Sequence, residues 1–192
     1  MKRYFYVSGI LGGIALICAV LIALVNMLTK PIISNNSQAI IKETYTKIYS
    51  EYYSSEEKEY TNDSKGYIKN KLEAYDSNGN VLGYIYTTSG KNAYGEVSLM
   101  IGIKNDTVVD VEFLTNTESF ASTVYSYVKE NLPSSNESKI EINPYGKDDA
   151  IDVGSLSSSD IDSLDTKCGA TYGASLVKAM VEACLEEAKE GN

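Results

Sequence analysis

The stretch Glu96-Val97-Ser98-Leu99-Met100-Ile101-Gly102-Ile103-Lys104-Asn105-Asp106-Thr107-Val108-Val109-Asp110-Val111-Glu112-Phe113-Leu114 decides the fold. Two apolar runs flank the polar triplet Lys104-Asn105-Asp106, the pattern of an antiparallel pair folded about a tight turn. A similar pattern lies just upstream. Tyr67–Tyr75 alternates loosely, Asp76-Ser77-Asn78-Gly79-Asn80 is a turn, and Val81–Thr88 is rich in β-branched and aromatic residues. The Asn78-Gly79 pair supplies the positive φ that a tight hairpin needs. Residues 67–115 therefore read as antiparallel sheet.

On either side of this block helical spacing replaces alternation. Ile40, Ile41, Tyr45, Ile48 and Tyr52 fit one face of a stalk helix after Pro31 and the polar patch Ser34–Ser37. Ser54–Lys65, rich in Ser, Glu, Lys and Asn, reads as a loop. Val124, Tyr127, Val128 and Leu132 predict another helix, ended by Pro133. Ile140-Glu141-Ile142 reads as a short strand after a loop. Residues 147–164, with a Ser-rich middle, read as solvated loop: Asp148, Asp149, Asp152, Asp160, Asp162 and Asp165 lack the order of a calcium loop and its terminal Glu. Leu176, Val177, Met180, Val181, Cys184 and Leu185 recur at i, i+3, i+4 and predict a C-terminal amphipathic helix. Glu182, Glu186, Glu187 and Glu190 then form its outer face. The fold class is α+β, an antiparallel sheet with flanking helices, preceded by a transmembrane helix.

That membrane segment follows from the first 30 residues. Lys2 and Arg3 precede an uncharged run to Thr29, closed by Lys30 and Pro31, and Tyr4, Phe5 and Tyr6 make an aromatic group at its start. Val7 to Leu28 supply 22 residues, and about 20 residues of helix span a bilayer. A cleaved signal peptide is the alternative, but the run exceeds the usual apolar core of one and lacks a small-x-small cleavage site. Ile17 before Cys18 also departs from a lipoprotein signal. Lys2 and Arg3 favour a cytoplasmic N-terminus, placing the rest of the chain outside the cytoplasm. The organisation is thus an anchor over 1–30, a stalk helix and loop over 31–65, and a domain over 66–192.

Charge and composition then exclude several kinds of chemistry. Residues 1–30 hold three basic and no acidic residues, so residues 31–192 carry 14 basic against 26 acidic residues, net −12. A surface of that sign repels nucleic acid. The chain has no histidine, which removes imidazole acid–base catalysis and His-containing zinc sites. Cys18, Cys168 and Cys184 do not share metal-ligand spacing, and a Cys168–Cys184 bridge is open. No catalytic residues stand out. Hard chemistry here must come from a cofactor.

The place for one is Asp165-Thr166-Lys167-Cys168-Gly169-Ala170-Thr171, just before the C-terminal helix. Free N–H groups and a partial positive charge at a helix start can hold a phosphate. Gly169 and Ala170 leave room for a bulky group, and the Thr171 hydroxyl would lie beside the anion. Asp165-x-x-Cys168-Gly169-Ala170-Thr171 resembles the flavinylation motif Asp-x-x-(Ser/Thr)-Gly-Ala-Thr of the FMN-binding domain family, with Cys168 in place of Ser or Thr. Such domains occur in the G subunit of the Rnf complex and the C subunit of sodium-pumping NADH:quinone reductase. Gly83-Tyr84-Ile85-Tyr86, Gly95 to Ile103 and Val108 to Leu114 follow the family's order of strands.

The resemblance implies a membrane-anchored, single-pass, extracytoplasmic flavoprotein that relays electrons within an Rnf-like complex or a related extracellular chain. It implies FMN joined to Thr171 by a phosphodiester bond, installed by a flavin transferase whose signature includes Asp165. Cys168, Gly169 and Ala170 would surround the phosphate, with the N–H groups of Tyr172 and Gly173 facing it. The family's Glu-Thr-Pro-Gly-Leu-Gly loop near the flavin ring is replaced by Thr115-Asn116-Thr117-Glu118-Ser119-Phe120-Ala121-Ser122. Thr117, Glu118 and Phe120 are the candidate ring contacts, with entry into the core the other reading of Phe120. Partners would be other electron-transfer proteins or complex subunits, and Gly9, Gly12 and Gly13 offer a small-residue side for neighbouring helices. The alternative is a domain that has lost flavin and serves as a membrane-tethered binding module. No resident metal is implied.

Overall fold

A computed structural model describes residues 12, 15–16, 18–20, 22–23, 41–61, 64–134 and 155–190. The chain divides into two compact units, Met1–Glu43 and Thr44–Asn192. In the first unit, residues 12, 15–16, 18–20 and 22–23 are helical and exposed. The rest of the span expected as an anchor lies outside the described residues, as does the expected strand Ile140–Ile142. Among the described residues no helix is long and apolar enough to cross a membrane.

The second unit is built on one antiparallel sheet of six strands lying side by side in chain order. The strands are β1 (Ser54–Glu57), β2 (Ile68–Tyr75), β3 (Val81–Asn92), β4 (Gly95–Lys104), β5 (Thr107–Asn116) and β6 (Leu156–Ser157). The helices are α1 (residues 41–48), α2 (Ala121–Asn131), α3 (Ser158–Ser163) and α4 (Thr171–Glu190). The α+β expectation holds, and the turns show why the sheet is a meander. Asn105 and Asp106 both take positive φ (51° and 58°), the two-residue reversal whose twist suits flanking strands. At the β2–β3 turn, Asp76 Oδ1 accepts from the amides of Asn78 and Asn80, and Oδ2 from Asn80 Nδ2, each at 2.8 Å. Those bonds, Asn80's foremost, hold the Asp76 carboxyl below its ordinary range. The β3–β4 reversal closes at the pair Asn92 and Gly95, leaving Ala93 and Tyr94 at its tip.

Two stretches read as loop are structured. Ser54–Glu57 is the edge strand β1, paired with β2 from Ser54↔Tyr75 to Glu57↔Leu72. Its polar, mostly exposed residues carry no alternation; the neighbouring strand makes it a strand, helped by Lys58 Nζ 2.7 Å from Glu73 Oε2. Residues 156–163 form β6 and α3, the helix started by a reciprocal Ser157–Asp160 box in which the Ser157 amide donates to Asp160 Oδ2 at 2.8 Å. Ile161 anchors that helix in the core.

The core lies between one face of the sheet and α4. Alternate residues of β4, Val97, Leu99, Ile101 and Ile103, meet Val177, Met180, Val181 and Leu185 of α4, with Val124 and Val128 of α2 closing one end. Each such fully buried side chain contributes about 1.5–3 kcal/mol. Ile48 and Gly102 meet on the opposite face, where a Cβ on Gly102 would strike Ile48 Cγ2. There the Tyr49 hydroxyl donates to the Ile103 carbonyl at 2.8 Å, tying the chain after α1 to the sheet. Glu187 departs from the expected outer face. It is buried, 3.0 Å from Lys71 Nζ, and accepts from the Tyr86 hydroxyl at 2.5 Å. It lies three residues past Cys184 and so falls on the inward stripe, where β2 and β3 supply the cation and hydroxyl.

Candidate functional site

The segment Asp165–Gly173 is a shaped turn that delivers the chain into α4. Asp165 Oδ1 accepts from the Lys167 amide at 3.0 Å, and the Cys168 amide donates to the Thr166 carbonyl at 3.0 Å. Gly169 then takes φ +72°, the left-handed conformation that glycine enters without strain. No atom would meet a Cβ there, so it is conformation and not space that calls for glycine. Ala170 is buried, and its carbonyl accepts the first bond of the helix, from the Ala174 amide at 3.0 Å. The amides of Thr171, Tyr172 and Gly173 lie ahead of that bond, where helix donors need outside partners. Thr171 is exposed.

Side chains fasten this turn to the body of the domain. Lys178 Nζ, two turns along α4, donates to the carbonyls of Asp162 and Leu164 at 2.8 and 3.1 Å. Ser175 Oγ donates to Thr166 Oγ1 at 3.0 Å. Cys168 is half-buried against the core, and it and Cys184 are free thiols, so the open Cys168–Cys184 bridge is absent. Among the described residues the buried Tyr127 hydroxyl has no hydrogen-bond partner. Burial foremost, then the charges of Cys168 and Asp165, pushes its pKa up to about 12.

The other expected contacts lie in the connection from β5 to α2. Thr117 is exposed, and its hydroxyl is occupied by the Glu96 backbone, accepting from the amide at 2.9 Å. Glu118 is 6% exposed and takes a hydrogen bond from Asn92 Nδ2. It packs directly on Gly173: a Cβ there would collide with Glu118 Oε2 and Val124 Cγ2. Phe120 caps α2 and is 51% exposed, so it does not enter the core. Its α2 neighbour Val124 fills that position instead.

One residue that sequence reasoning missed joins these two segments. Tyr94, at the tip of the β3–β4 turn, has its ring centroid 5.5 Å from that of Tyr172 and 6.2 Å from that of Phe120. Asn92 Oδ1 accepts from the amides of Tyr94 and Gly95 at 2.8 and 3.2 Å, while its Nδ2 serves Glu118. The Ser119 amide donates to the Tyr94 carbonyl at 3.2 Å. The available signal was an aromatic residue between Asn92 and Gly95, two turn-forming residues. Gly169, Ala170, Thr171, Tyr172 and Gly173 are thus contiguous, Glu118 touches them directly, and Phe120 reaches them through Tyr94. Asp165 bonds within its own turn, and Thr117 faces β4.

Two open cavities lie elsewhere. One of about 460 Å³ is lined by Lys65, Tyr67, Lys69 and Lys91 among others, and one of about 380 Å³ by Lys58, Lys71, Tyr84 and Glu187 among others. Neither includes Thr171.

Residues 2–48 match the family model described as the RnfG N-terminal region. This match supports an RnfG-like FMN-binding family. The matched residues end before β1, so the sheet and the Asp165–Thr171 motif lie outside them. No curated protein matches the chain. The matched segment is what likens the chain to Rnf-type electron-transport subunits.

Proposed function

We propose that this RnfG-like chain is a membrane-anchored, extracytoplasmic flavoprotein subunit that relays electrons, with FMN joined through its phosphate to Thr171 Oγ1. One observation carries the reading. The last residue of the motif is the exposed first residue of α4, with three leading amides beside it. The residues present fit the group: Gly169 holds the turn open with empty space at its Cα, and the exposed ring of Tyr172 directly follows Thr171 in the chain.

FMN, when bound, supplies one- and two-electron transfer. The protein's own residues would do the rest. Thr171 Oγ1 would become an ester oxygen, and the Tyr172 and Gly173 amides, with the helix dipole, would offset the phosphate charge. Lys178, Ser175 and the Asp165 turn would keep the approach to Thr171 in one shape. A covalent tether suits a carrier outside the cytoplasm, since the local concentration of its cofactor never falls. Cys168 lies half-buried on the core side of the turn, which leaves the exposed hydroxyl unobstructed.

The test is flavin fluorescence of denatured protein in a gel after co-expression with a flavin transferase, wild type beside Thr171→Ala. A fluorescent wild-type band that disappears in the variant is the expected result. A dark wild-type band, beside a glowing control FMN domain from the same cells, would sink the covalent reading and favour a flavin-free binding module. The anchor and its orientation rest on the uncharged run from Tyr4 to Thr29 and on Lys2 and Arg3. Protease added outside intact spheroplasts should remove the domain. Protection of the domain there would reverse the topology.

A further inference from the structure

Tyr94, Phe120 and Tyr172 come from three separate parts of the fold: the β3–β4 turn, the residue capping α2, and the first turn of α4. They are 43%, 51% and 66% exposed, and they meet ring to ring with Tyr94 in the middle. An aromatic side chain is a large apolar surface, and leaving one in water forgoes the favourable burial of that surface. Three together, touching only at tilted edges, do not complete a core. Their positions are nonetheless closely held. Asn92 serves the Tyr94 and Gly95 amides with one side-chain atom and Glu118 with another, and the Ser119 amide grips the Tyr94 carbonyl. Glu118 in turn packs on Gly173 beneath Tyr172 in the helix. A rigid frame is thus presenting aromatic rings to the outside.

We propose that these rings are a seat for a planar aromatic ring system held at Thr171, with Tyr94 as the central contact and Phe120 and Tyr172 as its flanks. The proposal rests on the FMN reading for what is tethered, since Tyr172 directly follows the tether residue. Electron-rich phenol rings stack favourably on a flat, electron-poor heterocycle. Tyr94, 43% exposed between the other two rings, has surface left for such a stack. Tyr94 is therefore a positioning residue for the ring and has no part in the covalent attachment.

The experiment uses the full chain co-expressed with a flavin transferase and purified in detergent. Flavin fluorescence of the folded protein is divided by that of the same denatured protein, for wild type, Tyr94→Phe and Tyr94→Ala. A stacked tyrosine quenches an excited flavin by lending it an electron, and phenylalanine does not. The expected result is a low folded-to-denatured ratio in wild type, rising several-fold in both variants, with denatured bands of equal strength. Lower fluorescence anisotropy in Tyr94→Ala than in Tyr94→Phe would show the ring released as well as unquenched. Equal ratios in all three proteins would overturn the seat. If the wild-type denatured band is dark, free FMN is titrated into the unflavinylated protein. Quenching by wild type but not by Tyr94→Ala then upholds the seat while the covalent reading falls. No quenching by wild type overturns both.

Discussion

At Gly173 an added methyl group would have no room. Helix propensity alone favours Ala over Gly by about 1 kcal/mol in a helix, yet a Cβ here would collide with Glu118 Oε2 and Val124 Cγ2. Overpacking costs about 1–3 kcal/mol, so the clash outweighs the propensity gain. Gly173→Ala is therefore expected to destabilise the domain, read as a lower denaturation midpoint in urea. It should also free Glu118 from Asn92, which a backbone NMR shift at Tyr94 would report. An Ala variant as stable as wild type would show that Glu118 yields easily. Which residues were legible at this scale follows from what each does. Gly169 and Thr171 stand in a local order that specifies a turn and a helix start, so their places could be read directly. The position of Glu118 was legible but not its burial, and Tyr94 was not legible as a site residue. An exposed aromatic in a turn carries no periodic signal, and its partners lie 26 and 78 residues away in the chain.

Among the elements, α4 is the one whose apolar stripe was plain and whose polar face was misread. Glu187 belongs to a buried group with Lys71 and Tyr86, in which Lys71 Nζ also lies 4.5 Å from the centre of the Tyr84 ring. Removing one partner of such a pair strands the other charge and typically costs about 3–5 kcal/mol, whereas replacing both with apolar groups is often neutral. Lys71→Met and Glu187→Leu alone should each lower the urea midpoint sharply, and the double variant should recover most of the loss. Additive losses in this cycle would mean that the two side chains act independently. Helical periodicity marks a face by its apolar residues, so a charged residue on the inward stripe is assigned outward by default. Only β2 passing beneath the helix supplies the cation that makes burial tolerable. The edge strand β1 and helix α3 escaped notice for the same reason: their short polar sequences are ordered by what they pair with and pack against.

Across the whole domain, tyrosine burial couples stability to alkaline pH. Burial foremost raises the Tyr49 and Tyr86 pKa values, with the nearby charges of Asp110 and Glu187 adding to it, and Tyr127 reaches about 12. An unfolded tyrosine titrates near its ordinary value of 10.0. Above that value the unfolded chain loses protons that the folded domain still holds, so stability declines as pH rises through the folded values. Below it the contribution is fully present. The domain should thus keep its urea midpoint up to about pH 10 and lose it progressively towards pH 12, with tyrosinate absorbance rising in step with unfolding. Three tyrosines titrating before unfolding would contradict their burial. Alternation, helical spacing and turn residues act over a few neighbouring positions, so the two strand pairs within residues 67–115, the two long helices and the order of the motif follow from the sequence alone. That Glu187 is buried, that Glu118 lies against Gly173, and that Tyr94 stands between Phe120 and Tyr172 came from long-range packing alone. Those facts depend on which distant segments the sheet and α4 bring within a few ångströms, and no local pattern encodes that distance.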